Sequence, residues 1–285
     1  MDAFRVQMPA RRTSAVIFAS PHSGSDYPKD FLAKARLDER AVRSSEDAFV
    51  DRLFAAAPTL GAPLITALAP RAYVDLNRAE DELDPALIEG LRRVNPNPRI
   101  ASGLGVIPRV VAGGRPIYHG RITHTEAEAR LAAVWRPYHA ALRRLMDEAE
   151  ERFGQAILID CHSMPHEALE TLGPRSARKP DVVIGDRFGA AASPGLVAEI
   201  EAAFARAGLR TARNMPFAGA YVAQAYGRPA RRRHAIQIEI DRALYMDEAQ
   251  ITPLPHFELF RARLSGIMAE ITALGRADPM PMAAE

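Results

Sequence analysis

A short apolar run followed directly by four polar residues limits the possible folds of this chain more than any other stretch of its sequence. Ala156–Ile159 is aliphatic and rich in β-branched side chains, which is typical of a buried central strand. It is followed at once by Asp160, Cys161, His162 and Ser163, where the strand is predicted to stop. Ligands of α/β proteins bind beyond the carboxyl ends of strands, so these residues predict chemistry there. Because side chains alternate along a strand, Asp160 and His162 are predicted to share one face and Cys161 to point to the other.

The rest of the chain alternates between strand-like and helix-like segments. Apolar runs predict further strands over residues 15–19, 64–68, 72–76, 182–186 and 234–241. Helical spacing of apolar residues predicts helices over 48–57, 125–153, 196–207 and 257–274, with a kink at Pro137. Residues 217–226 fit a strand or a loop, and residues 79–120 are predicted to be largely irregular. The alternation predicts an α/β fold, with one domain over residues 1–285 and a mixed, mostly parallel sheet flanked by helices.

Composition excludes several classes of function. A formal net charge of +2 over 285 residues gives no general case for a nucleic-acid partner. The single cysteine excludes an internal disulfide and favours a reducing compartment. No signal-peptide pattern and no run of apolar residues long enough for a bilayer is found, so we expect a cytoplasmic protein without a membrane partner. The oligomeric state stays open, and a homo-oligomer is one of the alternatives.

Two histidines and a pair of acids are the candidate metal ligands. His22 follows the first predicted strand, His162 follows the central one, and Glu46 and Asp47 precede a predicted helix. Two imidazoles and one carboxylate can hold a catalytic zinc ion and leave the fourth position to water. The alternative for Glu46 and Asp47 is helix capping, since they end the stretch Ser44–Asp47 directly before that helix. The alternative for His22 is a loop histidine bonded to the backbone.

A carboxylate and a guanidinium complete the candidate site. Glu239 alternates with isoleucines on a predicted strand, and a buried carboxylate needs a partner, so we interpret it as the proton-transferring base. Arg78, with Asn77 beside it, suits a substrate carboxylate because its guanidinium forms a two-bonded fork. The alternative for Arg78 is a salt bridge with a neighbouring acid such as Asp75. His139 is predicted to lie on the surface or to pack against a helix.

Seven short blocks of this sequence, in this order, resemble the N-formylglutamate amidohydrolase family. The blocks are Ser20–Gly24, Glu46–Phe54, Val74–Arg78, Asp160–Ser163, Phe217–Tyr221, Tyr226–Pro229 and Gln237–Asp241, the last followed by Tyr245 and Met246. The resemblance implies a fold similar to the zinc-dependent exopeptidases of the carboxypeptidase type. It also implies a metal-dependent hydrolase of linear, non-peptide amide C–N bonds. The implied substrate is an N-formyl or N-acyl amino acid such as N-formyl-L-glutamate, hydrolysed to formate and the free amino acid.

The resemblance also assigns roles to residues. Zinc, or another divalent metal, would be held by His22, His162 and either Asp47 or Glu46, with Glu239 as the base. Asn77 and Arg78 would bind one substrate carboxylate. Arg109, which the resemblance does not assign, is our own candidate for a second substrate carboxylate. Relatives often carry the acidic ligand three residues after the first histidine, but here Asp26 lies four residues on, so the ligand is assigned to Asp47. Ala48-Phe49 also stands where deformylases of histidine degradation tend to carry Trp-His.

Two other functions remain open at this point. One is a carboxypeptidase-like or peptidoglycan amidase activity on a larger substrate, which an open pocket beside residues 79–120 would favour. The other is a catalytically silent relative that binds a ligand through the same fold. Binding of a carboxylate without any bound metal would favour that second function.

Overall fold

A seven-stranded sheet forms the centre of the protein. The computed structural model describes residues 2–91, 97–170 and 179–276. The sheet has the order β1-β3-β2-β6-β9-β7-β8. Its strands are β1 (Phe4–Gln7), β2 (Val16–Ser20), β3 (Leu64–Ala67), β6 (Ala156–Met164), β7 (Val182–Gly185), β8 (Thr211–Arg213) and β9 (Arg233–Asp241). Two short hairpins lie outside it, β4 (Val110–Val111) with β5 (Arg115–Pro116) and β10 (Met246–Asp247) with β11 (Thr252–Pro253).

Most strand pairs in the sheet are parallel. β3, β2, β6 and β9 run parallel to one another in that spatial order, and β7 runs parallel to β8. The antiparallel pairs are β1 with β3 and β7 with β9. The predicted α/β class, with a mixed and mostly parallel sheet, is therefore confirmed. Parallel neighbours bring the carboxyl ends of β2, β6 and β9 to one edge.

Helices cover both faces of this sheet. They are α1 (Lys29–Lys34), α2 (Glu39–Arg43), α3 (Val50–Leu53), α4 (Pro98–Ala101), α5 (His124–Arg130), α6 (Arg136–Phe153), α7 (Pro194–Arg206), α8 (Tyr221–Tyr226) and α9 (Phe257–Leu274). Ile17 and Leu158 face one apolar core together with α6, while Phe18 and Ile159 face a second core together with α7 and α9. The alternation of side chains along β2 and β6 thus fills two separate layers. Among the described residues, no helix is both long and apolar enough to cross a membrane.

The central strand is longer than its apolar run predicts. β6 continues through Asp160 and His162 to Met164 because β9 pairs with it over its whole length, from Ala156 to Met164. The strand thus ends at Met164, one residue after the four polar residues where its end is predicted. The ladder holds His162 directly beside Glu239 in the neighbouring strand. Asp160, His162 and Glu239 therefore lie on paired strands rather than in a loop.

Four local predictions are wrong. Residues 72–76 form no strand, and α3 is only four residues long and begins after Phe49, whose φ of 67° is left-handed. No side chain caps α3, so helix capping by Glu46 or Asp47 is also wrong. Residues 217–226, expected as a strand or a loop, contain α8.

The predicted kink at Pro137 takes the form of a wider helical turn. A π-helical turn, Leu131–Trp135, joins α5 to α6 just before the proline. Proline lacks the N–H that an α-helix would use here, and a π turn accommodates such an interruption. The stretch 79–120 is irregular apart from α4 and the β4–β5 hairpin, and residues 92–96 of it lie outside the described residues. The sequence did not predict the short edge strands β1 and β8.

Candidate metal centre

His22, Asp47 and His162 converge at the carboxyl edge of the sheet. One ligand atom from each residue lies within 4.8 Å of the others, and all three residues are buried. His162 Nδ1 is 2.9 Å and His22 Nδ1 is 3.5 Å from the same oxygen, Asp47 Oδ2. β6 supplies His162, the loop after β2 supplies His22, and the backbone N–H of Asp47 donates to the carbonyl of His22. This group of residues could hold a metal ion.

Each imidazole of the centre is oriented by a second carboxylate. His22 Nε2 lies 2.7 Å from Asp75 Oδ1, and His162 Nε2 lies 3.0 Å from Asp160 Oδ2. Such carboxylates fix the tautomer, so that Nδ1 of each ring could bind a metal ion. Burial raises the pKa of Asp75, but His22 and Arg71 outweigh burial and hold that pKa well below its usual value.

The electrostatics of the centre favour a cation. Burial lowers the pKa of His162, but Asp160 and Asp47 outweigh burial and raise that pKa well above its usual value. His22 Nδ1 is buried and has no hydrogen-bond partner among the described residues. Buried polar atoms are rarely left unpaired, so an unpaired ring nitrogen beside a carboxylate fits a site that binds a cation. The donor set of two imidazoles and one carboxylate is one that divalent metals accept.

The two neighbouring acids have different partners. Both oxygens of Glu46 accept from Arg43, at 3.0 Å from Nε and 3.2 Å from Nη2, so Glu46 is occupied outside the centre. Asp47 divides its oxygens. Oδ2 faces the two histidines, while Oδ1 accepts from Arg242 Nη2 at 3.0 Å. Burial raises the pKa of Asp47, but His162 and His22 outweigh burial and hold that pKa well below its usual value.

Glu239 lies beside the centre on β9. Its Oε1 accepts from Gln237 Nε2 at 2.8 Å, and only 7% of the residue is exposed. Burial raises the pKa of Glu239 to about 7. A carboxyl group with a pKa near the working pH suits proton transfer in both directions.

Asn77 contacts the same group of residues. Its Nδ2 donates to Asp160 Oδ2 at 3.3 Å and to Gln237 Oε1 at 3.4 Å, and lies 3.1 Å from His162 Nε2. Its Oδ1 accepts from the backbone N–H of Val222 at 2.8 Å. Asn77 therefore joins β6 and β9 to the start of α8.

Arg78 is buried and makes no ion pair with any acid that the structure describes. Its Nε has no hydrogen-bond partner there, and burial lowers the pKa of the guanidinium. The alternative of a salt bridge to Asp75 is not observed, because Asp75 pairs with Arg71 at 3.0 Å instead. A buried guanidinium with an unused donor fits an incoming anion.

Other basic residues of this region pair with acids. Arg109 forms an ion pair with Asp84, with 2.8 Å between Nε and Oδ2. Arg71 and Arg242, which the sequence reasoning missed, both approach Asp47 Oδ1, at 4.0 and 3.0 Å. The only local signal for Arg242 was its place directly after the alternating strand. Cys161 is buried on the opposite face of β6, as predicted from the alternation.

Comparison with known proteins identifies the family. The sequence model of the family N-formylglutamate amidohydrolase matches residues 14–246. The N-formylglutamate deformylase of Pseudomonas putida is 30% identical over 241 residues, covering 82% of this chain and 83% of that protein. The N-formylglutamate deformylase of Pseudomonas aeruginosa is 30% identical over 268 residues, covering 92% and 94% of the two chains.

A solved structure agrees with these sequence comparisons. The crystal structure of N-formylglutamate amidohydrolase from Ralstonia eutropha JMP134 is similar with a TM-score of 0.90 and 36% sequence identity. The similarity covers 96% of this chain and 99% of that one. A family match over most of the chain, relatives at this identity and the shared fold lead to one conclusion. This chain belongs to the N-formylglutamate amidohydrolase family, whose members are hydrolases of amide bonds.

Proposed function

We propose that this protein is a zinc-dependent amidohydrolase that converts N-formyl-L-glutamate, or a similar N-acyl amino acid, to the free amino acid and formate. One observation carries the proposal. A buried His22–Asp47–His162 group lies next to a buried carboxylate, Glu239, and is joined through Asn77 to the adjacent Arg78. The names of the relatives support the substrate.

The three residues His22, Asp47 and His162 would hold the ion. Their donor atoms suit Zn²⁺ and leave a position for water, although other divalent ions accept the same set. A divalent ion bound there lowers the pKa of water and polarises a carbonyl group. Asp75 and Asp160 keep the two imidazoles oriented for this task.

Glu239 would move the proton. Because Gln237 occupies Oε1, Oε2 is the atom left to take the proton of the attacking water. The resulting carboxylic acid then protonates the nitrogen of the leaving amino acid, which restores the carboxylate. Arg71 lies near Asp47 and is suited to stabilising negative charge that develops on the formyl oxygen.

Arg78 would orient the substrate. Its buried guanidinium can form a two-bonded fork with the α-carboxylate, with Asn77 beside it. Arg109 remains the predicted partner of a second substrate carboxylate, and its ion pair with Asp84 would have to exchange for that contact. We also propose that the chain works as one domain and that it acts in the cytoplasm, where the buried thiol of Cys161 stays reduced.

Formate release from N-formyl-L-glutamate tests the proposed function. Wild-type protein should release formate, and Glu239→Gln should lose about 10²–10⁴-fold in turnover while keeping its metal, because only the proton carrier is removed. Glu201→Gln, the same change in an acid that pairs with Arg213 away from the centre, is the matched control. Metal content is measured by elemental analysis of all three proteins.

Other outcomes would change the assignment. Near-normal turnover of Glu239→Gln would mean that another group moves the proton. Bound metal without formate release, but with hydrolysis of peptides or peptidoglycan fragments, would favour the larger substrate. If neither bound metal nor turnover is found, even after zinc is added, the remaining assignment is a catalytically silent relative that binds a ligand.

A further inference from the structure

A buried guanidinium, that of Arg242, joins the candidate metal centre to the end of the central strand. Its Nη2 donates to Asp47 Oδ1 at 3.0 Å and its Nε donates to Ser163 Oγ at 3.2 Å. Arg242 begins a 3₁₀ turn, Arg242–Leu244, directly after β9, and Asp241 caps that turn by accepting from the backbone of Ala243. Arg242 is 6% exposed, so this contact is made away from bulk water.

Because of this contact, the two carboxylate oxygens of Asp47 have different partners. Oδ2 lies 2.9 and 3.5 Å from the Nδ1 atoms of His162 and His22, whereas Oδ1 faces Arg242. A carboxylate with two free oxygens can chelate a cation with both. An arginine that holds one oxygen in a charge-assisted bond leaves only the other for the metal.

We infer that Arg242 is a positioning residue that keeps Asp47 as a one-oxygen ligand. It thereby raises metal affinity and keeps a coordination position open for water. The inference rests on the proposed metal-dependent function and adds a residue that determines how the metal is held. Catalytic zinc sites need such an open position, so the arrangement of Asp47 matters for chemistry as well as for binding.

Two features make this contact specific. Breaking a buried ion pair leaves an uncompensated charge, so Arg242 and Asp47 are expected to stay paired. Lysine could not reproduce the fork, because one ammonium group cannot occupy the positions of Nε and Nη2 at once. The neighbouring pair of Arg43 and Glu46 differs, since Arg43 occupies both oxygens of its partner.

The chain supplies a matched control. Arg43 and Arg242 line the same cavity of about 340 Å³, together with Glu46 and Glu248. Arg242 Nη1 is 3.7 Å from Glu248 Oε2 on this side. The cavity gives solvent room to replace a missing guanidinium. Arg43→Gln removes the same group from the same cavity without touching Asp47.

The experiment measures the zinc dissociation constant by competition with a chromogenic chelator, on wild type, Arg242→Gln, Arg242→Lys and Arg43→Gln. Arg242→Gln should weaken binding about 10–100-fold, the range found when an outer partner of a metal ligand is removed. Arg242→Lys should fall between Arg242→Gln and wild type, and Arg43→Gln should bind like wild type. The midpoint of denaturant unfolding is measured for all four proteins as a control. If the midpoints are equal, a purely structural role of Arg242 would not produce this order of zinc dissociation constants.

Cobalt provides a second readout that does not depend on turnover. Co²⁺-loaded wild type should show the strong visible absorption of a four-coordinate ion. Co²⁺-loaded Arg242→Gln should show the weaker absorption of a higher coordination number, since both oxygens of Asp47 are then free. If Arg242→Gln does not fold, Ser163→Ala removes the acceptor of Nε, and its zinc dissociation constant should rise several-fold.

The outcomes separate this inference from the proposed function. Arg242→Gln could bind zinc as tightly as wild type and show an unchanged cobalt spectrum. That result, or the same result in Ser163→Ala where that variant is needed, would overturn the positioning role of Arg242 but not the proposed function. Weakened binding in Arg43→Gln with normal binding in Arg242→Gln would move the ligand to Glu46 and overturn it as well. A wild-type protein that binds neither zinc nor cobalt would overturn the metal-dependent function itself.

Discussion

Glu46 and Asp47 show how strongly surroundings decide the role of a residue. The two acids are adjacent and both are buried. Arg43 neutralises Glu46, whereas Asp47 faces two imidazole nitrogens and also contacts Arg242. The sequence left both acids open as ligands because side-chain direction in a short loop does not follow from residue type.

Replacing each acid by its amide tests this distinction. Asp47→Asn should weaken zinc binding by more than about 100-fold, since removing a ligand costs more than removing an outer partner. Glu46→Gln should keep the metal, because Glu46 contacts Arg43 instead. Equilibrium dialysis against zinc measures both. Loss of metal in Glu46→Gln with retention in Asp47→Asn would reverse the assignment.

His139 is a fully buried histidine outside the candidate metal centre. Its Nε2 lies 3.0 Å from the carbonyl oxygen of Leu76, and its Nδ1 lies 2.8 Å from the hydroxyl of Tyr226. A neutral ring with its proton on Nε2 satisfies both contacts. Burial lowers the pKa of His139 to about 3. The sequence predicted either packing or exposure, and packing is confirmed.

The buried neutral ring predicts a pH dependence of stability. An unfolded histidine has a pKa of about 6.5. Below that pH the unfolded chain therefore binds a proton at this residue, whereas His139 in the folded protein stays neutral. Folding is therefore favoured less as the pH falls from about 6.5 towards 3, by up to about 2 kcal/mol at pH 5. In urea titrations at pH 7 and pH 5, His139→Gln should lose less stability between the two values than wild type. His119→Gln, which changes an exposed histidine, should lose as much as wild type.

The residues that the sequence missed depend on distant parts of the chain. Arg242 contacts Asp47 across 195 positions, and no local pattern encodes that pairing. The shared face of Asp160 and His162, by contrast, follows from the alternation of a strand and is found in the structure. Local periodicity thus predicts which residues face together, but it does not predict which distant residue they meet.

At the scale of elements, apolar patterns predicted which residues are buried more reliably than they predicted the partners of backbone hydrogen bonds. α9 has the predicted bounds because its apolar spacing is regular over its whole length. Val74 and Leu76 are buried as an apolar run should be, but the backbone N–H groups of this stretch donate to the carbonyls of Pro70 and Val106 instead of a neighbouring strand. α8 begins where Asn77 Oδ1 accepts from its second residue, Val222. Such tertiary contacts leave no periodic signal.

Two exposed glycines should respond in opposite directions to alanine. Gly154 ends α6 with a left-handed φ of 69°, and an added Cβ would meet no atom within 4 Å. Only backbone strain then counts, so Gly154→Ala should destabilise by about 1 kcal/mol. Gly266 lies inside α9 with similar free space, so Gly266→Ala should stabilise by about 0.5–1 kcal/mol. Urea unfolding of both variants measures this, and changes of equal sign would contradict it.

On the scale of the whole molecule, the candidate centre joins distant regions of the chain. The loop after β2, the loop before α3, β6 and the end of β9 all contribute to it. Alternating strands and helices predicted the α/β class. The position of β9 between β6 and β7 could not be predicted, because strand order depends on which faces and edges fit together.

Removing a metal ion from the candidate centre should therefore destabilise the whole fold. Without a cation, Asp47, Asp75 and Asp160 lie close together around two imidazoles. A ligand that binds only the folded state at 100 times its dissociation constant adds about 2.7 kcal/mol. Chelator-treated protein should unfold at a lower temperature than zinc-loaded protein, and added zinc should restore the difference. Asp47→Asn should respond to neither treatment, and equal responses in both proteins would contradict the site.

The central place of β9 has a consequence for synthesis on the ribosome. Residues 233–241 emerge after every other strand of the main sheet, yet they fill the gap between β6 and β7. Until they emerge, both neighbours keep unpaired backbone edges, and Glu239 and Arg242 are missing from the centre. Unpaired edges of apolar strands invite association between chains. A nascent chain that stalls before β9 would be the form most in need of a chaperone.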